Sequence, residues 1–233
     1  MELSKRLQAV ADLVGDAQSM ADIGTDHGYI PIYLVESEKC KRALAMDVNK
    51  GPLLRAQEHI SEHNLNAQIQ TRLSDGVRML KVGEVECVII AGMGGALTIK
   101  IMEEGKQVFE NLKEFVLQPQ SELAKVRQYL WEHGYCIIAE DMILEDGKFY
   151  PMMKVVRRET SAYNSAELRY GRLLLEQRHP VLKIFLEKEQ SKKQFILENL
   201  NKEVGPHIEV RRKEIQEELE EITYALQRYY QCD

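Results

Sequence analysis

The sequence predicts an α/β protein in which a doubly wound, mostly parallel seven-stranded sheet is followed by an all-helical C-terminal part. Short apolar runs alternate with helical periodicity as far as residue 158, a pattern typical of βαβ units covered by helices on both faces. Beyond that point no strand pattern recurs, and the chain becomes long, charged and helical. We therefore expect an α/β domain over residues 1–158 and a helical domain over residues 159–233.

The α/β part is predicted to begin with an amphipathic helix, because apolar residues at positions 3, 7, 10 and 14 recur at helical spacing. The predicted strands span residues 19–23, 43–46, 69–73, 85–91, 115–118, 135–144 and 148–156. The predicted helices between them span residues 29–35, 52–63, 97–105 and 121–133. The segment Glu145-Asp146-Gly147 is typical of a hairpin turn, which predicts one antiparallel strand at the edge of the sheet.

The helical part is predicted to fold back on itself. Isoleucines recur at a seven-residue period, and Gly205-Pro206 separates two such segments. We expect an antiparallel coiled-coil hairpin here. Such a hairpin could bind RNA, form a dimer contact or stabilise the rest of the protein. A monomer is the favoured oligomeric state.

Composition narrows the class of protein. The apolar fraction of 44% and the charged fraction of 29% are ordinary for a globular protein, and no apolar run approaches the roughly 20 residues that cross a bilayer. The net charge of −6 argues against extensive nucleic-acid coating but leaves room for a local basic patch. The cysteines form no metal-binding spacing, which predicts reduced thiols, no metal and a cytoplasmic location; they are Cys40, Cys87, Cys136 and Cys232.

Ligands of open α/β sheets bind beyond the carboxyl ends of the strands, and residues 22–29 form the first such loop. Asp26 stands where a dinucleotide-binding fingerprint would have its second glycine, and its charge would repel a pyrophosphate. Asp22 and Asp26 favour instead a ligand with a cationic sulfonium and an ammonium group. The alternative is an ordinary turn at Gly24, with Asp26 as the N-cap of the next helix.

Three further loops carry candidate binding residues. Asp47 closes the second strand and could accept both ribose hydroxyls of an adenosine. Asp75-Gly76 could bind an adenine amino group, or be an ordinary turn. The segment Gly92-Met93-Gly94-Gly95 follows a buried strand, and so many glycines indicate that something approaches the backbone closely. No Lys-Ser or Lys-Thr follows it, which excludes a P-loop.

The order of these motifs resembles the bacterial tRNA adenine-22 N1-methyltransferase family (TrmK). The matching segments read DIGTDHGYIPIYL, AMDVNKGPLLRA, LSDG, IIAGMGG and LQPQSE, and they extend over residues 1–156. The resemblance implies a class I, Rossmann-like methyltransferase fold, S-adenosylmethionine as cofactor, and methylation of N1 of adenine in the D-arm of tRNA. The cofactor-binding residues that it implies are Asp22, Gly24, His27, Gly28, Asp47, Asp75, Gly76, Gly92 and Met93.

The substrate side is predicted from chemistry. Adenine N1 lies on the Watson–Crick edge, so the base must be exposed or flipped. Asp26 is the candidate catalytic residue, because it could accept a hydrogen bond from the adenine amino group and later a proton. His27, Tyr29 and Gly94 are candidates for reading the base, although His27 could equally be a helix-start histidine bound to the backbone. Candidate tRNA contacts near the pocket are Arg6, Arg157, Arg158, Arg211 and Arg212.

Three alternatives stay open on the sequence alone. One is a class I methyltransferase that acts on another RNA, a protein or a small molecule. Another is a nicotinamide-dependent oxidoreductase, which Asp26 and the GMGG segment oppose. The last is a non-enzymatic RNA-binding protein with a degenerate pocket, which the acidic and glycine positions of the loops oppose.

Overall fold

The computed structural model describes residues 1–202 and 205–231, with Pro206 described by its backbone alone. The chain forms two compact units, Met1–Ala162 and Tyr163–Asp233. The first unit thus includes residues 159–162, which the sequence placed with the helices. Cys40, Cys87 and Cys136 are buried free thiols, whereas Cys232 lies outside the described residues.

The first unit contains one seven-stranded sheet. Its strands are β1 (Ser19–Ile23), β2 (Arg42–Asp47), β3 (Ile69–Leu73), β4 (Cys87–Met93), β5 (Glu114–Pro119), β6 (Tyr135–Glu145) and β7 (Lys148–Arg157). The order across the sheet is β3-β2-β1-β4-β5-β7-β6. The first five strands pair in parallel, so their carboxyl ends meet at one edge.

The position predicted for the antiparallel strand is wrong. Strand β7 is antiparallel to both of its neighbours, but it lies between β5 and β6, and β6 forms the sheet edge. The reason is that the hairpin turn determines only the pairing of β7 with β6. The pairing of β7 with β5, in which Phe115 opposes Val155, is a long-range contact that the turn does not specify.

Helices cover the sheet as the alternation predicted. They are α1 (Lys5–Leu13), α2 (Tyr29–Glu36), α3 (Lys50–Glu62), α4 (Gly95–Glu104), α5 (Lys106–Phe109) and α6 (Leu123–Glu132). The four-residue helix α5 was not predicted, because it is too short to show a helical period. Strands β1 and β5 are buried along their whole length, as expected of central strands with helices on both faces.

Two ion pairs are buried in the first unit. Arg127 of α6 binds Glu140 of β6, with the Arg127 Nη2 2.9 Å from the Glu140 Oε1. Glu114 at the start of β5 accepts hydrogen bonds from Lys154 Nζ and from the Gly15 backbone N–H. Both pairs satisfy charges that would otherwise be costly to bury.

The second unit is helical, with α7 (Ser165–Tyr170), α8 (Arg172–Glu176), α9 (Pro180–Leu200), α10 (Pro206–Ala225) and a π-helical turn at Leu226–Tyr230. Helices α9 and α10 run antiparallel, since Gln190 Nε2 binds Thr223 and the backbone oxygen of Leu200 binds Arg212. The supercoiling of a coiled coil stays a prediction. Among the described residues, no helix is long and apolar enough to cross a membrane.

Candidate active site

A cavity of about 270 Å³ opens at the carboxyl end of β1. It brings together six residues that the sequence singled out as site candidates: Arg6, Asp22, Gly24, Asp26, His27 and Tyr29. Ala91, near the end of β4, lines the same cavity. The cavity therefore lies between the loops after the first and fourth strands, where the strand order reverses and where ligands of open α/β sheets bind.

Asp22 is the buried charge of this cavity. It is the residue before the last in β1, and only 6% of it is exposed. Burial raises the pKa of Asp22 from its ordinary value of 3.8 to about 6; the positive charge of Arg6 opposes this rise, and the negative charge of Asp47 adds to it. An ionised carboxylate in such a place attracts a cationic group strongly, because little water screens it.

The turn at Gly24, after β1, lies against the side chain of Met93 at the end of β4. Gly24 has φ +77°, and its N–H donates to the Met46 oxygen over 2.8 Å. A Cβ at Gly24 would lie 2.2 Å from the Met93 Cε. The left-handed backbone favours glycine here, and the flexible end of the Met93 side chain lies where a Cβ would be.

Three aromatic rings stack beside the cavity. The sequence singled out His27 and Tyr29 as candidates for reading the base, but not His59. The centroid of His27 lies 5.1 Å from that of Tyr29 and 5.2 Å from that of His59, and the planes are within 18° of parallel. His59 Nδ1 donates to the backbone oxygen of His27 over 2.9 Å, because a carbonyl can only accept. His27 has φ 65°, and its own Nδ1 has no partner among the described residues.

Gly28 and Asp26 both contact α3, and the sequence did not predict these contacts. Gly28, with φ +69°, is the N-cap of α2, so the alternative in which Asp26 caps this helix is wrong. A Cβ at Gly28 would lie 3.3 Å from the Ala56 Cβ of α3, so this glycine lets the two helices pack closely. The Asp26 carboxylate instead accepts from Arg55 Nη2 over 2.6 Å and lies 3.6 Å from His27 Nε2.

The loops after β2 and β3 hold the remaining acidic candidates. Asp47 is half-buried, and its Oδ1 accepts from the Asn49 backbone N–H over 2.6 Å. Asp75 is exposed and lies 3.2 Å from Arg78 Nη1. A Cβ at Gly76 would lie 3.1 Å from Ile101 of α4, which places this loop against the helix that follows the glycine segment.

The segment Gly92-Met93-Gly94-Gly95 packs against another loop of this chain, the one that contains Ser121 and Glu122. A Cβ at Gly95 would lie 2.4 Å from the Ser121 backbone oxygen, and one at Gly94 would lie 3.3 Å from the Ser121 Oγ. The Gly95 and Ala96 N–H groups donate to the Ser121 Oγ and the Glu122 carboxylate. At Gly95 the group that approaches the backbone is therefore the neighbouring loop of this chain. Gly92 is exposed with φ +79°.

Arg6 is held at the cavity by contacts that the sequence did not reveal. Its Nη1 donates to the Gln118 Oε1 over 3.1 Å, and its guanidinium lies 5.6 Å from the Tyr150 ring centroid. The Glu145 carboxylate accepts from the backbone N–H groups of Lys5 and Arg6 at the start of α1. Arg6 therefore faces the cavity from a fixed helix end.

The other predicted tRNA contacts are not beside the cavity or cannot be placed against it. Arg157 ends the antiparallel strand β7 and Arg158 follows it, so both lie at the opposite sheet edge, and their predicted position near the pocket is wrong. Arg157 lies 2.8 Å from Glu110 Oε1. Arg211 and Arg212 belong to the second unit and form ion pairs with Glu214 and Glu209. A role of these four arginines in binding tRNA stays a prediction.

Three side chains of the site were missed from the sequence, namely Arg55, His59 and Gln118. A weak signal existed for Gln118, since a glutamine next to Pro119 interrupts an otherwise apolar strand. Arg55 and His59 are spaced by one helical turn on α3 and both point toward the loop after β1. Only the tertiary packing of α3 reveals that they meet Asp26 and His27.

Fold and cavity together define a methyltransferase: a family model described as a methyltransferase domain matches residues 3–153. The chain is 37% identical over 175 residues to a Bacillus subtilis protein named tRNA (adenine(22)-N(1))-methyltransferase, which covers 75% of this chain and 74% of that protein. The chain belongs to this family of tRNA methyltransferases.

Solved structures support the same grouping over nearly the whole chain. A Streptococcus pneumoniae protein in complex with S-adenosyl-L-methionine is 33% identical, with a TM-score of 0.87 over 97% of this chain and 100% of that one. The Mycoplasma capricolum protein TrmK in complex with S-adenosyl-homocysteine is 29% identical, with a TM-score of 0.84 over 97% of this chain and 98% of that one. The resemblance therefore includes the helical unit as well as the sheet.

Proposed function

We propose that this chain transfers the methyl group of S-adenosylmethionine to N1 of adenine 22 in the D-arm of tRNA. The observation that carries the proposal is the buried Asp22 in a cavity at the switch point of the sheet, in a chain of this family. The cavity suits the cofactor, because Asp22 and Asp26 line it while the cofactor carries a sulfonium and an ammonium group.

The residues proposed to hold the cofactor come from four neighbouring loops. We assign Asp22 to its ammonium group, Asp47 to the ribose hydroxyls and Asp75 to the adenine amino group. Gly24, Gly76 and Gly92, each with a positive φ, are assigned to the same site together with Met93 and His27, and of the three glycines Gly92 has the most open space where a side chain would be. Gly28 is supported less directly, since it faces α3.

The cofactor supplies an electrophilic methyl group, and the protein supplies orientation. Adenine N1 has a free lone pair, so it attacks without first losing a proton, and proximity accounts for up to about 7–11 kcal/mol of barrier lowering. The near-parallel rings of His27, Tyr29 and His59 suit stacking of a flipped base. We assign to Asp26, which Arg55 holds, the role of accepting a hydrogen bond from the adenine amino group and a proton after transfer.

A transfer experiment tests the proposed function. Unmodified tRNA transcripts are incubated with labelled S-adenosylmethionine, and the modified nucleoside and its position are identified by mass spectrometry. We expect N1-methyladenosine at position 22, and none in a matched transcript that carries guanine there. If the cofactor binds but the adenine transcript stays unmodified, the substrate must be a different molecule. Label in the guanine transcript would instead show that position 22 is not the target.

A further inference from the structure

Gln118 is a fully buried amide at the end of β5, directly beside Ala91 of the cavity wall. Its Oε1 accepts two hydrogen bonds, one from Arg6 Nη1 and one from the Gly92 backbone N–H, each over 3.1 Å. These two donors come from α1 and from the end of β4, segments that are remote in sequence. One oxygen atom thus connects two parts of the site.

The orientation of this amide follows from its partners. Both are donors, so the oxygen and not the nitrogen must face them. The Gln118 Nε2 is then left buried, with no partner among the described residues. Burying an unpaired amide nitrogen is unfavourable, and a methionine or leucine would fill this place without that cost. Stability alone therefore does not account for a glutamine at this position.

Both groups held by Gln118 belong to the candidate site. Arg6 lines the cavity, and Gly92 has a left-handed backbone at φ +79°. The two are also close to each other, since a Cβ at Gly92 would lie 3.7 Å from the Arg6 Nη1. The position of the arginine and the shape of the glycine turn therefore depend on the same acceptor.

We propose that Gln118 is a positioning residue for methyl transfer, which holds Arg6 and the Gly92 turn in the arrangement that the tRNA substrate requires. The proposal rests on the proposed function. In this proposal Gln118 acts through its hydrogen bonds with Arg6 and Gly92 rather than by direct contact with substrate or cofactor. Its contribution is made by the side-chain oxygen, so a residue that keeps an acceptor there keeps most of the activity.

The test compares Gln118→Met, which removes the acceptor, with Gln118→Glu, which keeps it. Gln128→Met makes the same change at an exposed position of α6 and is the matched control. For each variant we measure the single-turnover rate constant on tRNA at saturating cofactor, the Kd of S-adenosylmethionine by calorimetry, and the Tm. We expect Gln118→Met to slow transfer by about 10- to 100-fold while the cofactor Kd changes by less than about threefold. Gln118→Glu should restore most of the rate.

A double-mutant cycle with Arg6→Met shows whether the glutamine acts through the arginine. The two losses should not multiply: in the Arg6→Met background, Gln118→Met should slow transfer by a smaller factor than it does alone, because the part of its effect that runs through the arginine is already gone. Losses that multiply, a Gln118→Glu rate as low as that of Gln118→Met, or a folded Gln118→Met at the wild-type rate would overturn the proposal.

Two further measurements separate a folding failure, and a failure of the proposed function, from a failure of the positioning role. Should Gln118→Met not fold, Gln118→Asn withdraws the oxygen by one methylene and is expected to lose rate in the same way; full activity of Gln118→Asn would contradict the proposal. Wild-type protein that forms no N1-methyladenosine would overturn the proposed function and this inference with it. Wild-type activity together with an unaffected Gln118→Met overturns the positioning role alone.

Discussion

The Asp22 carboxylate illustrates a conflict between binding and stability within one residue. Its pKa in the folded protein, about 6, lies above the ordinary value of 3.8 because the group is buried. Between these two values the folded state binds the proton more tightly than the unfolded state, so stability falls as the pH rises through this window. At pH 8 the ionised group therefore destabilises the fold, and the proposed role as an anion toward the cofactor accounts for its presence.

Asp22→Asn should stabilise the free protein and weaken cofactor binding. Removing the buried charge should raise the free energy of unfolding at pH 8 by up to about 3 kcal/mol, the equivalent of the pKa shift. The Kd of S-adenosylmethionine should rise about 10- to 100-fold, the loss expected for a charge-assisted hydrogen bond. Urea unfolding and calorimetry measure the two effects. An asparagine variant that is less stable at pH 8 yet binds normally would contradict this assignment.

Cofactor affinity of the wild-type protein should fall as the pH drops through about 6. Below its pKa Asp22 is neutral, and each further pH unit should raise the Kd by up to about tenfold. The other charged or titratable side chains near it are Arg6, Asp47, Asp26 and His27, so Asp22→Asn is the necessary comparison. Calorimetry between pH 5 and pH 8 should show this slope in the wild type and a flatter one in the variant. Equal slopes would assign the titration to another group.

Single residues of the site could be predicted only where their role is local. Asp22, Gly24 and Asp47 were singled out because each lies at or just after the end of a recognisable strand. Gln118 and Arg55 were missed because their partners, Arg6 and Asp26, lie far away in sequence and meet them only in the folded sheet. The same reason explains Gly95, whose neighbour is the Ser121 carbonyl rather than a ligand.

At the scale of elements, the start of α4 is held by its contact with residues 121 and 122, and Gly95→Ala tests that contact. The new Cβ would lie 2.4 Å from the Ser121 backbone oxygen, so the two segments must move apart. We expect a loss of about 1–3 kcal/mol in the free energy of unfolding. Gly51→Ala, also in the first turn of a helix, has only the Arg55 Nη1 within reach at 3.7 Å and should be neutral or slightly stabilising.

Chemical denaturation of both alanine variants provides the measurement. A Gly95→Ala protein as stable as Gly51→Ala would show that the loop at Ser121 moves without cost. It would also leave close backbone approach by a ligand as the remaining reason for this glycine.

Elements were predicted more completely than their arrangement. All seven strands follow from apolar runs and turn residues, which are properties of neighbouring positions. The lateral order of β5, β7 and β6 depends on pairing between distant segments, in which Val116 faces Lys154, and periodicity carries no information on such pairing. Short elements such as α5 escape for a different reason, because one turn shows no repeat.

For the whole molecule, the division into two units predicts which functions can be separated. Every residue assigned to the cofactor lies in Met1–Ala162, a unit with its own sheet and core. A fragment of residues 1–162 should therefore fold cooperatively and bind S-adenosylmethionine with a Kd within about threefold of the full chain. Thermal unfolding and calorimetry on the fragment and the full chain make the comparison, with Asp22→Asn introduced into both as the control for binding at the proposed site.

A fragment that folds but does not bind would show that residues 163–233 contribute to the cofactor site. A fragment that binds the cofactor normally but no longer methylates tRNA would show that the helical unit is needed for binding tRNA. The ion pairs of Arg211 and Arg212 do not by themselves establish that role.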